Sequence, residues 1–243
     1  MWLRVAIDGH VKDLNFYFDG RDELVLPHCI FMSQSLITLT LHWCTLQHQP
    51  HVHMGTLREL SLVNVQGSGE AFNQLILGCP YLQELNINVL YEPDVDVNIT
   101  SPSVRKLSLY TDSQGYSIAL SCPNLKILDI DAMVELIDVS SLQVVNIKDL
   151  IYDDLPEVEA FLRQIQNVEV VTLSAHAFEK LCWRRKIKYQ LTSWKRLVLW
   201  PSWNEYNCVQ LILLLVGISA KLEELTIYNG PHLMVEQLVM LLI

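Results

Sequence analysis

The chain has 243 residues, 51% of them apolar and 18% charged, which excludes general disorder and leaves ample material for a core. A formal net charge of −10 argues against nucleic acid or an anionic membrane surface as the main partner. The six cysteines, at positions 29, 44, 79, 122, 182 and 208, are never closer than 15 residues, so no CxxC pair exists for zinc or redox chemistry. They read as reduced, buried thiols. The N-terminus lacks a signal-peptide apolar region. The longest apolar run, Val209 to Ile218 broken by Gln210 and Gly217, falls far short of the roughly 20 residues a membrane span requires. Together these features predict a soluble protein of a reducing compartment, cytoplasm or nucleus, with no membrane role.

Taken from the N-terminus, one pattern recurs: an apolar residue, another three positions on, and a third two positions after that. Ten copies begin at Val11, Leu36, Leu57, Leu82, Val104, Leu125, Leu142, Val168, Trp194 and Leu222. Their intervals run from 17 to 28 residues, close to the period of about 20–29 residues that marks a leucine-rich repeat. The spacing predicts one short strand per copy, since side chains alternate along a strand and the fourth and sixth positions then share a face. A lone repeat cannot bury that face, so neighbours must stack on one continuous core. The predicted fold is therefore an α/β leucine-rich-repeat solenoid: a curved parallel sheet on the concave face, with helices and loops on the convex face. It is expected to be a single domain of about ten irregular repeats over residues 1–243.

The returns between strands carry the helices. Ser68 to Gly78 reads as one, with Ser68 capping its start, Phe72, Leu75 and Ile76 inward, and Gly78 before Pro80 as the stop. Pro156 to Ile165 is a second, with proline in its first turn. Asn207 to Val216 is a third, closed by Gly217. Leu233 to Ile243 reads as an apolar helix without a cap, and the shorter repeats are expected to return by turns or one-turn helices. The 17-residue interval between Leu125 and Leu142 implies a short loop.

Several stretches carry a resemblance. Leu26 to Leu36 (LPHCIFMSQSL), with Leu39 and Leu41, resembles the first full repeat of the plant F-box/leucine-rich-repeat proteins of the FBD type. Trp2, Leu3 and Ala6, followed by Val11, Leu14 and Phe16, are similar to the segment ahead of it. Leu75 to Leu85 (LILGCPYLQEL) resembles the family's LLxxCPxLExL, and Phe161 through Leu173 resembles its FLxxxxNVxxLxL. The repeat consensus also places Asn or Cys three residues after the last core position; Cys44 fits, whereas Val65, Leu90, Met133 and Leu150 do not. The resemblance implies substrate recognition for an SCF-type ubiquitin ligase, in which an N-terminal F-box docks on the Skp adaptor and the repeats hold the target. Within these 243 residues neither the family's F-box pattern nor its FBD region is recognised. The chain is thus expected to be the target-holding half of such a receptor, truncated or part of a longer product. The alternative is a stand-alone repeat protein or decoy without any ligase link.

Three sets of residues are candidates for binding. Outward positions three, five and seven of the strand units form the predicted concave surface. There, Ile127, Val144 and Val170 make an apolar stripe, accompanied by Arg196, Val198, Trp200 and Tyr228, with Tyr110 further along. Exposed apolar stripes rimmed by polar groups mark partner sites, and Trp, Tyr and Arg dominate hot spots. The second set is basic: Arg184, Arg185, Lys186 and Lys188 lie among Lys180, Lys195 and Arg196, with Trp183, Tyr189 and Trp194 interleaved. It suits a polyanion, although such a run more often is a solvated loop balancing nearby acids. The third is His48, His51 and His53, which lack a Cys or carboxylate to complete a tetrahedral zinc site and read as a polar loop. No catalytic constellation is present, so the sequence predicts no enzyme, no metal and no cofactor.

Overall fold

The computed structural model describes residues 2–18, 26–47, 51–89, 96–111, 117–131, 134–148, 155–174, 177, 190–200, 205–229 and 236–241. The chain divides into two compact units: an N-terminal unit of Met1–Lys126 with Val134–Ser141, and a C-terminal unit of Ile127–Met133 with Leu142–Ile243.

The N-terminal unit opens with a helix, α1 (Trp2–Asp8), which packs on a short 3-10 turn at His28–Met32. Its main strands are β1 (Asp13–Tyr17), β2 (Thr38–His42), β4 (Glu59–Gly67), β5 (Glu84–Val89) and β7 (Lys106–Thr111), with a two-residue β3 (Thr45–Leu46) beside β4. β1, β2, β4, β5 and β7 pair in parallel in that order. Asp13, Thr38, Glu59, Glu84 and Lys106 stand in one row, each the third residue of its repeat. The sequence spacing thus sets the register without a slip. The first turn of each return is also regular where the chain bends: Trp43 and Asn64, both eighth in their repeats, take left-handed φ values of 55° and 53°. That bend coincides with the register shift between Val63 and Val65 in β4. It turns the next residues, Cys44 and Val65, into the core.

Helix α2 (Gly69–Leu77) fills the return between β4 and β5. Ser68 Oγ accepts the Ala71 amide at 3.2 Å, and Phe72, Leu75 and Ile76 are buried, as the pattern predicts. The shorter returns differ from expectation. They carry strands: β6 (Asp96–Thr100), β8 (Ser117–Ser121) and β10 (Val134–Asp138) form a separate parallel sheet in the order β10-β8-β6. Three consecutive returns too short for a helix lie side by side, and pairing among them satisfies backbone groups that bare turns would leave to water. Ile99, Leu120 and Leu136 face inward from this sheet.

The C-terminal unit repeats the scheme with β9 (Ile127–Ile130), β11 (Val144–Ile147), β12 (Val170–Leu173), β13 (Arg196–Leu199) and β14 (Glu224–Asn229), all parallel in that order. Ile127, Val144, Val170, Arg196 and Glu224 form its row of third positions. Helix α3 (Leu155–Gln164) buries Phe161 and Leu162, with Ile165 just beyond it also buried. Helix α4 (Glu205–Ile218) runs through Gly217 rather than ending before it. Gly217 takes no left-handed φ and has open space around its Cα, so nothing there forces a stop.

The C-terminus corrects a further expectation. The stretch read as an uncapped helix contains a strand, β15 (Glu236–Leu241), antiparallel to β14. The connection from Asn229 to Glu236 is too short for the dozen or more residues a parallel crossover needs, but long enough for a hairpin. The pairing covers the edge of β14, whose amides and carbonyls would otherwise lack partners.

Of the thirty motif positions predicted as core, all are buried except Val11, Leu222 and Ile227, which are half-buried at the two ends of the series. Cys44, Cys79 and Cys122 are buried free thiols. Cys79 Sγ donates to the Leu75 carbonyl at 3.1 Å within its own return, and Cys122 Sγ donates to that of Ile99 at 3.7 Å, across to the return one repeat earlier. Cys44 Sγ makes no hydrogen bond among the described residues and acts as a small apolar filler.

Candidate functional site

Because Leu197 and Leu199 point into the core, Arg196, Val198 and Trp200 must point away from it. The same parity puts Ile127, Val144 and Val170 on the solvent side of the C-terminal unit. Pairing makes them direct neighbours: Val144 lies opposite Ile127 on one side and Val170 on the other. All three are half-buried, as mutual cover along a row dictates. The stripe ends at Arg196, next to Val170, whose guanidinium donates through Nε to Glu224 Oε2 at 2.7 Å. The pair is about half and a third exposed, a setting in which an ion pair orients side chains more than it stabilises them.

The row of seventh positions holds the aromatic element. The Trp200 amide donates to the Leu173 carbonyl at 2.9 Å, which extends the ladder one residue past β13. Its ring stacks on Tyr228 with centroids 3.9 Å apart and planes 14° from parallel. In the fifth-position row, Val198 lies between Thr172 and Thr226. Seven of the eight predicted binding residues therefore share one face of one unit. Tyr110 stands on the N-terminal unit, opposite Asn88 in the β5–β7 pair, and is half-buried.

The basic candidates fare differently. Arg184, Arg185, Lys186 and Lys188 lie outside the described residues. Of their companions, Lys195 is ion-paired to Glu169 at 2.8 Å and Arg196 to Glu224. The Glu169 hydrogen bond and charge hold the Lys195 ammonium above its ordinary pKa. His48 is likewise outside the described residues, while His51 and His53 are exposed. No three His, Cys, Asp or Glu side chains converge as a metal site among the described residues.

Two features were not singled out from the sequence. Tyr17 and His42, both seventh in their repeats, stack at 3.7 Å in the N-terminal unit, and burial holds the His42 imidazole below its usual pKa. The second is a cleft of about 330 Å³ lined by Arg58, Gln83, Arg105 and Lys126, each the second residue of its repeat. Reading that column of the repeat alignment would have found it, since three of its four members are basic.

The family described as FBD-associated F-box protein At5g56370, LRR repeats, matches residues 1–150. Among curated relatives, all from Arabidopsis thaliana, F-box/FBD/LRR-repeat protein At5g56420 is 29% identical over 140 residues, covering 54% of this chain and 33% of the relative. FBD-associated F-box protein At5g38590 is 31% identical over 137 residues, with the same coverage. F-box/LRR-repeat protein At3g03360 is 25% identical over 248 residues, covering 93% of this chain and 51% of the relative. The chain thus spans about a third to a half of the length of the relatives it matches. No solved structure matches it. With its leucine-rich fold and this match over more than half its length, the chain belongs to the leucine-rich-repeat family of FBD-associated F-box proteins.

Proposed function

We propose that this chain is a protein-binding module, the target-holding part of an SCF-type ubiquitin-ligase receptor that acts in the cytoplasm or nucleus. The observation that carries the reading is the Trp200–Tyr228 stack beside Arg196, Val198 and the Ile127–Val144–Val170 row. An aromatic pair, an oriented arginine and an adjoining apolar strip are the residue types that concentrate binding energy at protein interfaces. The sheet beneath them is rigid and hydrogen-bonded, so little order is lost when a partner docks. Capture is noncovalent. Any transfer of ubiquitin falls to other subunits, and the Skp adaptor joins through an F-box in the full-length product.

The test is co-purification from plant extract, with the Trp200→Ala chain as the matched control and the Skp adaptor as one probe. The reading expects specific partners that Trp200→Ala loses while its melting curve stays unchanged. Recovery of the adaptor with the full-length product supports the ligase role. Partners without the adaptor would leave a stand-alone binding module, and partners indifferent to Trp200→Ala would refute the site.

A further inference from the structure

We propose that the cleft at the strand-entry rim of the N-terminal unit binds a phosphomonoester group, a function separate from the sheet-face site above. The cleft is built by the repeat itself. The Gln83 amide donates to the Arg58 carbonyl, that of Arg105 to Gln83 and that of Lys126 to Arg105, each at 2.8 Å. These bonds fix the four residues in successive rows, about 4.8 Å apart. Arg105 and Lys126 are then immediate neighbours, and Arg58 stands about 10 Å from Arg105.

Charge makes the cleft unusual for this chain. Against a net charge of −10, three cations line a space of about 330 Å³ and no carboxylate does. Elsewhere in the same folds the sheet-side cations find acids: Lys106 meets Glu84 at 3.5 Å, Lys195 meets Glu169 and Arg196 meets Glu224. Among the described residues, Arg58, Arg105 and Lys126 form no such pair. Arg58 is also pre-positioned, with Nη1 donating to the Tyr81 carbonyl at 3.1 Å and the guanidinium 5.0 Å from the centre of the Tyr81 ring. Concentrating like charge without counter-charge opposes folding, and a bound dianion relieves it. Arg105 supplies the planar fork that matches phosphate oxygens, and Lys126 supplies a point charge beside it. Gln83 and Ser141 line the same space with neutral hydrogen-bonding groups.

The experiment is an amide chemical-shift titration of the whole chain with inorganic phosphate, with acetate at equal ionic strength as the control. The proposal expects saturable shifts at Gln83, Arg105 and Lys126 that acetate does not reproduce. Arg105→Gln should weaken binding by about tenfold or more, the effect of losing a charged hydrogen bond. Lys221→Gln, a change at an exposed cation outside the cleft, should leave it unchanged. Arg105 is itself exposed with no side-chain partner, so the variant should fold, and its circular dichroism melt checks this. A second arm uses a phosphoserine peptide with glutamate three residues on, a separation of about 10 Å in an extended chain that matches the step to Arg58. Tighter binding of the peptide than of phosphate marks a phosphorylated protein as the source, and equal binding marks a free phosphorylated metabolite. Shifts that never saturate, that acetate reproduces, or that survive Arg105→Gln overturn the proposal.

Discussion

Leu85→Ala tests the register on which every placement above depends. Leu85 is 2% exposed and lies in the fourth-position row between Leu60 and Leu107, themselves 2% and 0% exposed. Truncation removes three carbons, and at about 0.8 kcal/mol each the lost transfer energy is roughly 2.4 kcal/mol. The flanking leucines are held by their own strands, so the hole cannot close freely; a residual cavity of roughly 50 Å³ at about 24 cal/mol per Å³ adds about 1.2 kcal/mol. The expected loss is therefore about 3.6 kcal/mol, inside the usual range of about 2–5 kcal/mol for such changes. Urea unfolding followed by circular dichroism reads it, with the slope checked for constancy because repeat stacks need not unfold in one step. Leu77→Ala is the internal control. Leu77 is 66% exposed on α2, and its loss should stay within about 0.5 kcal/mol. Equal stability of Leu85→Ala and the parent would refute the register, since a slip of one residue exchanges the buried and exposed sets.

Gly78→Ala should cost about 1–3 kcal/mol by overpacking, because a Cβ there would lie 2.3 Å from Val52 Cγ1 and 2.7 Å from the Val52 carbonyl oxygen. Its φ of −72° is ordinary, so the need for glycine is steric, and Val52→Ala placed on the Gly78→Ala background should recover part of the loss in the same melt, which a purely conformational need for glycine would not produce. Trp194→Phe should lose about 1–3 kcal/mol because Trp194 is fully buried and its Nε1 donates to the Ile165 carbonyl at 3.2 Å, so the change opens a void and removes one of that carbonyl's two donors, the other being the Val168 amide. A neutral result would mean that water replaces the indole. Burial pushes the Cys44 and Cys79 thiols up to about 12 and Cys122 to about 11. At pH 8 a thiol reagent should therefore label Cys29 and spare these three in the folded chain; rapid labelling of all four would refute their burial. The same shifts fix a pH dependence. Below pH 9 these thiols are protonated in both states, and stability is full. Between pH 9 and about 11–12 the unfolded chain loses protons that the folded chain keeps, so stability falls as pH rises through that window. Urea midpoints at pH 8 and pH 10 check the sign.

The spacing of apolar residues determined the repeat, the strand positions and the register. Asp13, Thr38, Glu59, Glu84 and Lys106 align in the structure because each follows its motif start by two residues. Side-chain parity is local, so the outward placement of Val144, Val170, Val198 and Trp200 was legible too. The helix at Gly69–Leu77 was readable from a cap, a face and a stop within a few residues. What the sequence left open depends on neighbours one repeat away. The returns at Asp96–Thr100, Ser117–Ser121 and Val134–Asp138 are strands only because each has another beside it to pair with. Glu236–Leu241 carries a pattern that a helix would accept, and the open edge of β14 made it a strand. The fate of each charge was decided in the same way. Lys195 and Arg196 look like part of a basic run, yet stacking sets them against Glu169 and Glu224, 26 and 28 residues away. Arg58, Arg105 and Lys126 are scattered in the chain, and the same stacking gathers them in a cleft without an acid. Periodicity fixes which way a side chain points, whereas its lateral partner is chosen by which repeat packs alongside.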